Sequence, residues 1–217
     1  MDTLDISFIL LSFSSLFALL NPIGIAPIIL SLTENYNLSD YKRLIRKSTF
    51  FACILLLMFA IMGKIIFSFY GITIHAFKIA GGILFLRIGL NMLEAKVSRT
   101  KSTPKESEEA EANGDIAFSP IGIPLIAGPG AITSVMILSA QTTSFNQRII
   151  FYFNIIITLF LTFIILTLAK KLTKKLGTVG LRIIERIMGM ILMVVAIQFI
   201  IDGIGMTIQI YTSDLVK

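Results

Sequence analysis

Nine residues of this chain have the types and spacing to hold a solute: Asn21, Pro22, Gly24, Gly128, Pro129, Gly130, Thr133, Ser134 and Gln198. Pro22 and Pro129 lack the backbone N–H that a helix interior needs, and the glycines beside them relax the backbone. A break of this kind begins a new helix, whose first turn carries free N–H groups and roughly half a positive charge. Two such termini meeting would suit an anionic group such as a carboxylate. Asn21 fits as the N-cap of the second half-helix, with Pro22 in its first turn. Asn21, Thr133, Ser134 and Gln198 would add polar contacts without a full charge. For either motif alone, a proline kink with no site is an equally good reading. The recurrence of the motif favours the site. Gln198 and Asn91 equally suit a bond between neighbouring helices.

Other chemistry finds no motif. The sequence has no His-Glu-x-x-His, Gly-x-Ser-x-Gly or P-loop pattern, so no enzyme, cofactor or metal site is expected. Any transport is then not driven by ATP hydrolysis in this chain. Cys53 is the sole cysteine and allows no internal disulfide. His75, the sole histidine, makes a poor metal site and has no assigned role.

The elements that must position these residues are apolar. The first motif sits in a run from about residue 6 to 32. As one helix it would be ~40 Å long, against a ~30 Å hydrocarbon core. The second motif sits in a run from about 116 to 140. Pro22 and Pro129 are 107 positions apart, and the same offset pairs Gly82 with Gly189 and Asn91 with Gln198. One slip of a residue pairs Gly71 with Gly177. The landmarks keep their order, which indicates an internal duplication.

Hydrophobic residues make up 55% of the chain, charged residues 15%, and the mean hydropathy is +0.87. A soluble domain has about 25% charged residues, so this is an integral membrane protein whose partner is the lipid bilayer. The net charge of +6 does not indicate nucleic acid, because the basic residues lie between apolar runs. The first residues have no basic n-region and no cleavage site, so no removable signal peptide is expected.

Six spans are expected, near 5–32, 48–70, 73–93, 117–140, 148–169 and 183–209. Residues 1–93 form one three-helix repeat and 117–217 the other. The polar stretch 94–116 is a flexible cytoplasmic linker. Three spans is an odd number, so the halves enter the membrane from opposite sides. The expected fold is all-α: six transmembrane helices as two inverted three-helix repeats, with the first and fourth helices broken. Fourteen Lys and Arg fall in the 1–2, 3–4 and 5–6 connections, against four on the other side. That bias puts the basic loops in the cytoplasm and both termini outside, in the periplasm. Arg87, inside the third span, is close enough to its cytoplasmic end to snorkel. Lys64 and Lys78 flank the outer turn and read as interface anchors. Glu185 and Arg186 read as a solvated pair, and Asp202 lies near the outer end of the sixth span.

Several stretches together resemble the MarC family of bacterial and archaeal membrane proteins. They are the runs from Asn21 to Thr33 and from Ile123 to Ser134, the third-helix run from Phe69 to Leu84, and Arg186 to Gly189 followed by Ala196 to Ile204. They cover nearly the whole chain in order. Glu185 departs from the pattern, where the family more often has an uncharged residue. The resemblance implies a six-helix protein of the bacterial inner membrane, with some relatives resembling transporters of neutral amino acids. The functional expectation is a transporter or exporter of a small polar solute, a neutral amino acid being the candidate. The alternatives are a channel or passive facilitator, and a membrane scaffold that transports nothing. A homo-oligomer is compatible with either.

Overall fold

A computed structural model describes residues 3–94 and 117–215. The polar linker expected over 94–116 therefore lies outside the described residues, apart from Glu94. The elements, in order, are α1 (Thr3–Leu20), α2 (Pro22–Leu32), α3 (Leu38–Tyr70), α4 (Ile74–Leu93), α5 (Ala117–Ile126), α6 (Pro129–Gln141), α7 (Phe145–Thr167) and α8 (Ala169–Leu215). Five helical stretches are long and apolar enough to cross a membrane: Ile6–Leu32, Leu38–Tyr70, Ile74–Leu93, Phe145–Thr167 and Val179–Gln209. The pair α5 and α6, bent by 62°, provides the sixth when counted as one span.

Two expected loops are helical. α3 begins at Leu38, so Lys42, Arg43, Arg46 and Lys47 ride on its first turns. These charges are exposed, while Tyr41, Leu44, Ile45 and Ser48 between them are buried. The spacing is that of an amphipathic helix. A charge-rich stretch reads as a loop in a hydropathy scan, yet it extends the membrane helix. Likewise Lys170, Lys171, Lys174 and Lys175 lie at the start of α8, which is interrupted only at Gly177 (φ 63°, ψ 179°). Gly71, closing α3, has a similar φ of 64°. A side chain at either position would be strained.

α4 and α8 form the most extensive helix pair. They run antiparallel and approach through small residues. A Cβ on Gly82 would stand 2.7 Å from the Ala196 carbonyl oxygen, and one on Gly189 would stand 2.8 Å from that of Gly89. A Cβ on Gly203 would stand 2.9 Å from the His75 carbonyl oxygen. Small residues let membrane helices pack backbone to backbone. Phe85 and Phe199, both fully buried, add a ring contact at 5.6 Å.

Around this pair the halves exchange partners. α3 packs on α5 and α6, while α7 packs on α1 and α2. Ring contacts mark both arrangements: Phe51 with Phe118 at 5.5 Å, and Phe8 with Phe151 at 5.9 Å. Side chain to backbone bonds tie the same elements. The Ser139 hydroxyl donates to the Ala60 carbonyl at 2.5 Å, and Tyr41 Oη donates to the Leu166 carbonyl at 2.7 Å. Asn154 Nδ2 donates to the Ile9 carbonyl at 3.0 Å and to Ser12 Oγ at 2.5 Å.

Candidate functional site

The first break is a single residue. Asn21 adopts the left-handed conformation (φ 45°, ψ 56°), which asparagine tolerates better than most side chains. It ends α1 and starts α2 at once. Its N–H still donates to the Phe17 carbonyl at 3.0 Å, and its own carbonyl accepts from Ile25 N at 3.1 Å. Its side-chain Oδ1 accepts the Gly24 N–H at 3.1 Å. The expected N-cap is therefore present, but in a left-handed rather than an extended backbone. Gly24 is needed here because a Cβ would come within 2.8 Å of Asn21 Cγ. Asn21 and Pro22 are buried, and Gly24 is half-buried.

The second break is built differently. Residues that precede a proline are pushed to extended backbone. Ser119 (φ −132°, ψ 134°) and Ile123 (φ −135°, ψ 124°) obey this before Pro120 and Pro124, so α5 is an irregular segment. The Ala127 N–H reaches five residues back to the Gly122 carbonyl at 3.0 Å. Gly128 (φ −77°, ψ 170°) then caps α6 with no side-chain hydrogen bond, and Pro129 occupies the first turn. Pro129 is exposed, Gly128 and Thr133 are half-buried, and Gly130 and Ser134 are buried. Only Pro129 stood out in the sequence. The prolines at 120 and 124 carry an equal signal, one X-Pro step every four or five residues.

The two breaks meet. A Cβ on Gly130 would stand 2.9 Å from Leu19 Cδ2 and 2.9 Å from Ile88 Cδ1. Leu19 is two residues before Asn21, so the start of α6 lies against the end of α1. Thr133 turns its methyl to α4, where a Cβ on Gly81 would be 3.0 Å away. Ser134 Oγ is fully buried and without a hydrogen-bond partner among the described residues. An unmade hydrogen bond of this kind costs about 1–3 kcal/mol. Gln198 is exposed, and its Nε2 donates to Asp202 Oδ1 one turn along its own helix at 2.8 Å.

One polar group was misjudged from the sequence. Lys78 is not an interface anchor: its side chain is 2% exposed and lies 3.9 Å from Asp202 Oδ2 across the α4–α8 contact. The partners are 124 positions apart, and only the antiparallel register of α4 and α8 brings them together. The usable signal was that both are charges inside apolar runs. Arg87, by contrast, is exposed as expected for a snorkelling side chain. An open depression of about 500 Å³ lies at the α3–α4 turn, with Lys64, Ser68, Thr73, Ile74 and Ala140 in its lining.

The family model described as "MarC family integral membrane protein" matches residues 6–208. A UPF0056 membrane protein of Methanocaldococcus jannaschii is 38% identical over 205 residues, covering 93% of this chain and 98% of the relative. The UPF0056 membrane protein YvbG of Bacillus subtilis is 38% identical over 208 residues, covering 95% and 99%. One from Buchnera aphidicola of the pea aphid Acyrthosiphon pisum is 35% identical over 201 residues, covering 93% and 94%. No solved structure matches the chain.

Proposed function

This chain belongs to the MarC family of integral membrane proteins, and from that premise we propose that it moves a small polar solute across the bacterial inner membrane by alternating access. The single observation that carries the reading is the contact of the two breaks, Leu19 against Gly130. α2 and α6 both begin there, so two helix N-termini share one level of the membrane. Backbone broken inside a bilayer is tolerated only where protein or water satisfies it. The α6 terminus is the one with no side-chain cap. A solute carboxylate would take that place, with the unpartnered Ser134 hydroxyl one turn further along the helix from Gly130. A neutral amino acid has a carboxylate for this terminus.

The inverted repeat belongs to the same reading. Supporting it, α3 takes α5 and α6 as partners while α7 takes α1 and α2, as a two-fold axis in the membrane plane requires. Gly82 on Ala196 becomes Gly189 on Gly89 under the offset of 107. Gly71 and Gly177, paired from sequence, share a left-handed φ. The charge bias then orients both termini outward.

The test is flux. Proteoliposomes holding the purified chain should exchange labelled alanine or glycine, and replacing the Gly128-Pro129 pair with Ala-Ala should abolish exchange. Absence of exchange across amino acids, sugars and drugs contradicts transport. Flux that neither saturates nor exchanges indicates a passive pore instead.

A further inference from the structure

Resting on the transport reading above, we propose that Lys78 and Asp202 form the site that carries a coupling proton. Both charges lie inside apolar helices, and such groups mark ion and proton pathways more often than they brace a fold. Here bracing is already supplied. α4 and α8 lock through Gly82, Gly89, Gly189 and Gly203 and through the Phe85–Phe199 rings. The pair places a buried ammonium 3.9 Å from a carboxylate that is one-third exposed. Exposure falls from Asp202 to Lys78. The depression at the α3–α4 turn opens at Ile74, about 6 Å along α4 from Lys78.

The occupant is a proton rather than a metal cation. A metal ion needs several oxygen ligands, and the neighbouring ammonium repels it. Loading is one bond: a proton from water on the outer side adds to Asp202 Oδ2, and the carboxylate becomes the acid. Gln198 still donates to Oδ1. Lys78 is then a buried charge without its counter-charge, a state that favours a different arrangement of α4 and α8. Release of the same proton on the other side restores the pair.

Few other groups compete. α2 and α6 carry no titratable side chain, and α1 brings only Asp5. α7 brings Arg148 and Tyr152. On α3, Lys64 Nζ is turned to the Thr142 carbonyl at 3.4 Å. On α4 itself, Arg87 is exposed, and His75, one turn outward of Lys78, has a buried Nδ1 with no partner among the described residues.

The experiment uses proteoliposomes with labelled alanine, under an imposed pH gradient and separately under a sodium gradient. Asp202→Asn, Lys78→Met and the neutral double variant Lys78→Met/Asp202→Asn are compared with the unaltered chain. The expected result is accumulation driven by the pH gradient alone. All three variants should lose it at least tenfold more than they lose alanine exchange, which needs no net proton movement. A merely bracing pair would be rescued in the double variant, because no charge is left unpaired. Rescue there, or accumulation driven by sodium and indifferent to pH, overturns the proton site while leaving transport standing. Failure of the unaltered chain to exchange any solute overturns the transport reading, and the proton site with it.

Discussion

The two breaks solve one problem in opposite ways. At Asn21 a single left-handed residue turns the chain, and its own side chain satisfies the Gly24 N–H. The junction is buried and Ile6–Leu32 still reads as one span. At Gly128 the backbone is extended, no side chain caps the new helix, Pro129 is exposed and the halves are bent by 62°. The first break is closed on itself, and the second leaves its donors for something else. One break is thus capped by its own side chain and the other is not. On the transport proposal, the solute's charged end would bind at α6 and not at α2.

That contrast can be broken by substitution. The largest effect is expected for Gly130→Val, which drives two methyls into Leu19 and Ile88. Overfilling of this sort costs about 1–3 kcal/mol, read as a lower unfolding temperature in detergent, and alanine exchange should be lost. Next is Asn21→Ala, which removes an N-cap worth ~1 kcal/mol and loses asparagine's tolerance of the left-handed backbone, at up to ~1 kcal/mol more. Asn21→Gly should recover about half of that loss, because glycine keeps the backbone and gives up only the cap. Gly24→Ala pushes the Asn21 side chain off its cap and should cost about 1 kcal/mol. It should cost less in an Asn21→Gly background, since the two sites share one contact. Gly128→Ala should be smallest, near 0.5 kcal/mol, because its φ of −77° suits any residue. If Gly128→Ala were as damaging as Asn21→Ala, the two breaks would not differ as described.

The sequence carried the breaks, the apolar spans and the charge asymmetry, because prolines, glycines and lysines act locally. Gly71 and Gly177 both have the positive φ that glycine takes easily. Three features were not readable. The helical starts of α3 and α8 were hidden because exposed lysines and arginines mask a buried stripe, such as Tyr41, Leu44, Ile45 and Ser48. The left-handed backbone at Asn21 depends on a side chain folding back over Gly24. The burial of Lys78 depends on the register of two helices more than a hundred residues apart, and no local pattern encodes that.

Alternating access requires that both breaks border one polar space that opens to each side in turn. It is tested most directly by cysteine accessibility at Ser134 in a Cys53→Ala background. A membrane-impermeant maleimide is applied to right-side-out and to inside-out vesicles carrying Ser134→Cys. The account predicts labelling from both sides, slowed by saturating alanine. No labelling from either side, with the protein folded, would contradict it.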